Sequence, residues 1–334
     1  MTENRFWRFD AYPDGTDFEQ ALSLQTVALP EPQDGEVIIR NKMLSLDAGT
    51  RMWITGREDG YQPPLPLNTP MVGLGIGEVV ASRHAAVQVG DTVRAFGQWA
   101  DYSVVTPEMS DLRVLDTSVD DLRQYFGVLG MNGWTALWGI QETGQAKAGE
   151  KVLISAAAGS TGILACQIAK LMGCEVYATA GGQDKCRYLE QEFGVTKAFD
   201  YKSDDLAAEF TKIDGGFDVY FDNVGGPQLD IVLQNMALYG RIALCGLVAE
   251  YADEAGTHKL AQYDKILMKR LSVIGFFSPD FADQGDRLTQ TLRAWYDDGQ
   301  LSMPFDETQG LENMLTAYRK LFTGGNIGKT IVLL

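Results

Sequence analysis

Residues 151–180 read KVLISAAAGSTGILACQIAKLMGCEVYATA, and the order of residue types in this stretch decides the fold. An apolar run, KVLISAA, enters the small-residue turn Ala157-Ala158-Gly159-Ser160-Thr161-Gly162. The turn opens directly into a helical pattern, TGILACQIAKLMG, and a second apolar run, EVYATA, follows. Strand, turn, helix and strand within about 30 residues make a βαβ unit. In a G-x-G-x-x-G turn the small residues permit the tight bend, let the backbone approach a pyrophosphate and let helix and strand pack closely. The helix N-terminus adds unpaired N–H donors and a partial positive charge. Here Ala157 holds the first glycine position.

Outward from this unit the alternation continues. QDKCRYLEQEFG (helix), KAFDY (strand), DDLAAEFTKI (helix), FDVYFDN (strand), PQLDIVLQNMA (helix) and GRIALCGLV (strand) follow in order. LSVIGFF supplies a sixth strand and DRLTQTLRAWYDDG a closing helix. Strands alternating with helices of about ten residues predict a parallel sheet with right-handed crossovers. ENMLTAYRKLFTGG and KTIVLL are one helix and one strand too many for that sheet. They are assigned to the other region, residues 1 to about 121, which reads as strands and turns. There EVIIRNKMLSLD is β-rich and GEVVASRHAAVQVGDTVRAF is strand–turn–strand about Gly90-Asp91. YFGVLGMNGWTALWGIQE reads as helical, with its glycines as breaks. The division is therefore 1–121 with 300–334 as a β-rich domain, and 122–299 as the α/β nucleotide-binding domain.

Length and composition agree with two domains: 334 residues, 45% hydrophobic. No apolar run approaches the roughly 18–20 residues of a membrane span. The opening MTENRFWRFDAYPDG lacks a signal-peptide pattern. The cytoplasm is the expected location. A net charge of −17, from 45 acids against 28 bases, argues against nucleic acid and anionic membranes as partners. The cysteines Cys166, Cys174, Cys186 and Cys245 form no CxxC pair and read as reduced thiols. His84 and His258 lie in turn-like and polar stretches. With one histidine and no cysteine in the β-rich region, no catalytic zinc set can be assembled there, and no metal is expected.

Two further patterns bear on the cofactor. Gly73-Leu74-Gly75-Ile76-Gly77 is glycine-rich but precedes the strand EVVAS, so it offers no helix terminus and reads as close backbone packing. An NAD-binding unit usually ends its second strand in an acid that bonds the ribose 2′-hydroxyl. Here that strand ends in Ala180-Gly181-Gly182, and Asp184 comes later, followed at once by Lys185. Small residues and a lysine suit a 2′-phosphate, which points to NADPH.

The chain resembles the zinc-independent medium-chain dehydrogenases/reductases, in the branch of leukotriene B4 dehydrogenase/prostaglandin reductases, 2-alkenal reductases and curcumin reductases. The resemblance is carried by LSLDAGTRMW, GLGIGEVVAS, GMNGWTALWG, AAAGSTGILACQIAKLMGCEV, FDYKS, YFDNVGG, YGRIALCG, GFF and GGNIGKTIV, which span nearly the whole chain. It implies a Rossmann doubly wound parallel sheet plus a GroES-like β-rich domain, and a homodimer. It also implies NADPH contacts at Gly159, Ser160, Thr161 and Gly162, with Lys185 and Tyr201 at the 2′-phosphate. Asn223, Cys245, Gly246, Tyr251, Phe276, Phe277, Ser278 and Asn326 match family positions lining the cofactor cleft.

Two departures concern the substrate side. The family's Asp-Pro-Tyr-Met-Arg reads Asp47-Ala48-Gly49-Thr50-Arg51 here, so its tyrosine is Gly49. A second family tyrosine falls on Met268. Tyr61 and Tyr263 lie in neighbouring segments and are the remaining candidates for a proton donor. The resemblance implies reduction of the C=C bond of an α,β-unsaturated carbonyl compound. The alternatives are a quinone reductase and a non-catalytic NADPH-binding protein.

Overall fold

The structure is a computed structural model that describes residues 2–58, 60, 62–251 and 258–334. The chain forms two compact units, one from Met1–Leu122, Phe305–Gly325 and Thr330–Leu334, the other from Arg123–Pro304 and Asn326–Lys329. Among the described residues no helix is long and apolar enough to cross a membrane.

The first unit opens with β1 (Glu3–Phe9), β2 (Leu22–Ala28), β3 (Val37–Ser45), β4 (Thr69–Pro70), β5 (Val72–Ser82), β6 (Thr92–Gln98), β7 (Tyr102–Val105) and β8 (Arg113–Val114). β2, β1 and β4 form a small antiparallel sheet, while β3, β5, β6 and β8 run in that order through a larger one, with β7 also on β3. The glycine-rich run lies inside β5, as expected from its context. A Cβ on Gly77 would stand 2.2 Å from the Arg40 carbonyl oxygen, and one on Gly73 2.5 Å from Trp99 Nε1. These glycines admit the neighbouring strand and a tryptophan, not a phosphate.

The second unit carries α1 (Met131–Trp138), β9 (Lys151–Ile154), α2 (Ser160–Leu171), β10 (Glu175–Ala180), α3 (Gln183–Glu192), β11 (Lys197–Asp200), α4 (Leu206–Phe210), β12 (Phe217–Asp222), α5 (Gly226–Asn235), β13 (Met236–Leu244), α6 (Asp264–Met268), β14 (Ser272–Gly275) and α7 (Gly285–Asp297). Its six strands are parallel in the order β11-β10-β9-β12-β13-β14. The direction of winding reverses between β9 and β12, which is where an open α/β sheet leaves a crevice at its carboxyl ends. The inner strands are apolar because both faces are covered: Leu153, Ile154, Val219, Tyr220 and Phe221 are all fully buried.

Two details differ from the sequence reading. Gly133 and Gly139 do not break the helix; Gly133 lies within α1 and Gly139 opens a π-helical turn, Gly139–Thr143. A Cβ on Gly133 would meet the Val128 carbonyl oxygen at 1.9 Å, and one on Gly139 would meet Phe221 and Phe276 at 2.3 and 2.6 Å. Close approach, not chain reversal, is what these glycines provide. The strand read at GRIALCGLV instead spans Met236–Leu244. Cys245 and Gly246 therefore lie beyond its end, in loop conformation.

The chain then returns to the first unit with β15 (Phe305–Gln309), α8 (Met314–Thr323) and β16 (Lys329–Leu333), and β16 pairs antiparallel with β3. α8 buries Met314, Leu315, Ala317 and Tyr318, one face of a helix, against Phe18, Trp53 and Trp99. Each such large side chain removed from water contributes roughly 1.5–3 kcal/mol. The Tyr318 hydroxyl lies 2.8 Å from Thr50 Oγ1, in the short helical turn Ala48–Ile54.

Candidate nucleotide-binding site

At the end of β9 the chain passes through Ser155 and Ala156, the latter left-handed at φ 46°, and reaches α2 at Ser160. Gly159 is the N-cap, and among the described residues no side chain caps this helix. Ala157 N–H donates to the Thr179 carbonyl at 3.0 Å, fastening the turn to β10. A Cβ on Gly162 would stand 2.4 Å from the Ala156 oxygen and 2.7 Å from Ala157 Cα, both backbone atoms. Helix and turn thus touch as the motif requires, and the first N–H groups of α2, like those of any helix start, have no intrahelical acceptor. Asn132 Nδ2 donates to Thr161 Oγ1 at 3.0 Å. Gly328 N–H donates to the Ala158 carbonyl at 2.8 Å, which brings the half-turn carrying Asn326 beside the glycine turn.

At the end of β10, Gly182 (φ 106°) has open space where a side chain would stand, whereas Gly181 is crowded. A Cβ on Gly181 would stand 2.7 Å from the Tyr201 hydroxyl and 3.0 Å from Lys202 Cε, so both side chains lie across it. Lys185 is in the first turn of α3, and the exposed Asp184 pairs with Arg187. Asp200 is buried at the end of β11, and its carboxylate accepts the N–H groups of Gly182 (2.7 Å) and Lys202 (3.0 Å) and the Ser203 hydroxyl (2.9 Å). Burial alone would raise its pKa; these donors and the Lys202 charge outweigh burial and hold it below the ordinary carboxylate range.

At the ends of β12 and β13, Asn223 Nδ2 donates to the Ser155 carbonyl at 2.7 Å, and the Cys245 and Gly246 N–H groups both donate to the Asp222 carbonyl, at 2.8 and 3.0 Å. Gly246 sits under Tyr251, whose hydroxyl would be 2.9 Å from a Cβ there and accepts the Leu247 N–H at 3.1 Å. Burial pushes the Cys245 thiol up, so it stays protonated at neutral pH. At the end of β14, Phe276 meets Phe221 edge-on at 6.0 Å, and Phe276 and Phe277 line a hollow of about 440 Å³ with Trp138 and Phe281. Ser278 begins the helical turn Ser278–Gln284.

Every cofactor residue expected from sequence thus lies in the second unit, around the carboxyl ends of its parallel strands. The catalytic candidates fare differently. Tyr61 lies outside the described residues. Tyr263 is 70% exposed at the start of α6. Met268 ends that helix, and the following Lys269 donates to the carbonyls of Gln234 and Met236, which places it beside the start of β13, away from the carboxyl ends. Ser155, Asp222, Asn132, Asp200 and Lys202 went unremarked in the sequence, although they stand in or beside the stretches that carry the resemblance. Among the described residues no group of three or more His, Cys, Asp or Glu could hold a metal ion.

A doubly wound sheet with a glycine turn at its switch point, joined to a β-rich unit completed by the end of the chain, defines a class of dinucleotide-binding proteins. Residues 5–112 match the family model described as the N-terminal domain of oxidoreductase, and residues 160–293 the one described as zinc-binding dehydrogenase. The 2-alkenal reductase (NADP(+)-dependent) of Nicotiana tabacum is 36% identical over 327 residues, 96% of this chain and 94% of that one. The NADPH-dependent curcumin reductase of Escherichia coli (strain K12) is 33% identical over 335 residues, 98% of this chain and 96% of that one. CurA from Vibrio vulnificus, solved in complex with NADPH, superimposes with a TM-score of 0.92 at 31% identity over 98% of both chains. The chain belongs to the medium-chain dehydrogenase/reductase family, in the zinc-independent branch of these reductases.

Proposed function

We propose that the protein is an NADPH-dependent reductase of the C=C bond of α,β-unsaturated carbonyl compounds. The observation that carries the cofactor half is the pairing of two features on one sheet edge. One is the glycine turn feeding the N-terminus of α2, which has no side-chain cap among the described residues. The other is the pair Tyr201 and Lys202 laid across Gly181, with Lys185 in the first turn of the helix that follows Gly182. The residues present fit NADPH. Gly162 keeps the turn flush with the helix, the α2 N–H groups would hold the pyrophosphate, and the lysines and Tyr201 would take the 2′-phosphate. Asn223, Cys245, Gly246, Phe276 and Phe277 would bound the nicotinamide. When bound, NADPH supplies a hydride for the β-carbon of the enone. The substrate half rests on the relatives, which reduce alkenals and curcumin by name. Catalysis then consists of positioning and of hydrogen bonds to the developing enolate oxygen. NADPH oxidation followed against a panel of enals, enones and quinones tests the reading. Turnover confined to the enals and enones is expected; turnover of quinones alone, or of none, would overturn it.

We further propose a homodimer built on β14. All four residues of this edge strand are exposed, Val273 and Ile274 among them, and Leu238, Leu267 and Met268 extend the apolar surface. An apolar, unpaired strand edge invites pairing with a second copy. Sedimentation of the wild type as a dimer and of Ile274→Lys as a monomer is the expected result; a monomeric wild type would remove the proposal.

A further inference from the structure

The ladder of the parallel sheet ends at Ile154 beside Phe221, and at Asp222 beside Leu244. Beyond those residues the segments expected to bound the nicotinamide have left the strand pairing, and something else must hold them in register. The Asp222 side chain is fully buried there. Its Oδ1 accepts four hydrogen bonds: from Ser155 Oγ (3.0 Å), the Tyr220 hydroxyl (2.8 Å), Val224 N–H (2.9 Å) and Gly225 N–H (3.0 Å). Ser155 Oγ in turn accepts the Asn223 N–H at 2.8 Å. The backbone oxygen of the same aspartate accepts Cys245 and Gly246. Oδ2 is buried with no hydrogen-bond partner among the described residues.

We infer that Asp222 is a positioning residue for the nicotinamide half of the cofactor, acting through Ser155, Asn223 and the Cys245–Gly246 backbone; this rests on the NADPH reading above. Four donors converging on one oxygen suit a carboxyl oxygen better than a hydroxyl. The arrangement is also costly, since it leaves the second oxygen buried with no partner among the described residues. A purely structural strand end would not require it. Gly225, at φ 67°, turns its N–H inward to Oδ1, and a Cβ there would stand 2.6 Å from Leu247 Cδ2. The turn after β12 and the loop after β13 are thereby locked to each other and, through Ser155, to the glycine turn after β9.

The test compares full-length Asp222→Ala, Asp222→Asn and Ser155→Ala with the wild type. Thermal unfolding is followed by circular dichroism, NADPH affinity by fluorescence titration, and KM and kcat separately by turnover of an enone. A misplacement of about 1 Å can cost about a hundredfold, so a folded Asp222→Ala is expected to weaken NADPH binding and raise its KM at least about tenfold. Asp222→Asn keeps an acceptor at Oδ1 and should return both to within about threefold of wild type. Ser155→Ala should weaken binding by several-fold, and adding it to Asp222→Ala should cost less than the product of the two single effects. A folded Asp222→Ala that melts earlier but binds and turns over NADPH like wild type would overturn the inference. If Asp222→Ala does not fold, a folded Ser155→Ala with wild-type affinity and KM overturns it. A wild type that binds no NADPH overturns the cofactor reading and this inference together, whereas a binding wild type with equally tight variants overturns this one alone.

Discussion

Asp200 Oδ1 stands 2.7 Å from the Gly182 nitrogen, so an acid does reach the end of β10, but from the neighbouring strand. Its two oxygens are occupied by Gly182, Lys202 and Ser203, and they are not offered to a ribose hydroxyl. The same bonds shape the loop that lays Tyr201 and Lys202 over Gly181. Cofactor choice then falls to the cations. Loss of one charge-assisted contact to phosphate costs on the order of 1.5–3 kcal/mol. Lys185→Ala and Lys202→Ala are each expected to raise the KM for NADPH by roughly ten- to a hundredfold, a factor of ten per about 1.4 kcal/mol, and to leave that for NADH nearly unchanged. Equal catalytic efficiency of the wild type with both cofactors would refute this.

The glycine turn makes a second expectation. Alanine at Gly162 would bring its Cβ within 2.4 Å of a backbone oxygen and 2.7 Å of a Cα, so α2 must move away from the turn. Overpacking of this kind costs about 1–3 kcal/mol. It also displaces the N–H groups proposed for the pyrophosphate. Gly162→Ala should therefore melt earlier and bind NADPH at least about tenfold more weakly, as a titration would show. Unchanged affinity would mean that the pyrophosphate does not sit there.

What the sequence made legible was local and periodic. The alternation of strands and helices required a parallel sheet, which the second unit has; at the end of the chain Tyr318 of α8 packs in the cluster with Phe18 and Trp99, and β16 pairs with β3. What was not legible depends on contacts between distant residues. Ser155 and Asp222 lie 67 positions apart and Asn132 and Thr161 29 apart. No periodicity announces that such pairs meet. Gly133 and Gly139 misled for the same reason: their role is set by Val128, Phe221 and Phe276, and only the packed structure shows it.

Asp222 also gives a pH dependence with a definite sign. Burial raises its pKa, and the donors from Gly225, Val224, Tyr220 and Ser155 only partly offset that. A carboxyl whose folded pKa lies above its unfolded value keeps its proton in the native state while the unfolded chain, near pH 4, releases one. Its contribution to stability therefore falls as pH rises from about 4 toward the folded value, and levels off above it. Asp222→Asn cannot titrate. Its stability relative to wild type, measured by denaturant unfolding, should improve as pH rises through that window. A stability difference that is flat with pH, or that moves against Asp222→Asn as pH rises, would count against a buried carboxyl with a raised pKa.

Zinc independence is expected of the activity as well as of the family. Dialysis against a chelator should leave turnover intact, and elemental analysis should find no stoichiometric zinc. Activity lost on chelation and restored by zinc would require ligands not apparent among the described residues.

The last expectation concerns the proton that completes the reduction. Hydride addition to an enone leaves an enolate, and a neutral tyrosine can bond its oxygen or protonate its carbon. Gly49 and Met268 carry no hydroxyl, and Tyr263 is largely exposed at the head of α6. Water is then the natural source of the α-proton. Tyr61→Phe and Tyr263→Phe should each lower turnover less than about tenfold, below the roughly 10²–10⁴ of a general acid. In heavy water the product should carry solvent deuterium at the α-carbon, with the β-hydrogen drawn from the cofactor. If one of these variants folds and binds NADPH normally but loses at least about a hundredfold in turnover, that tyrosine is the acid and water is not.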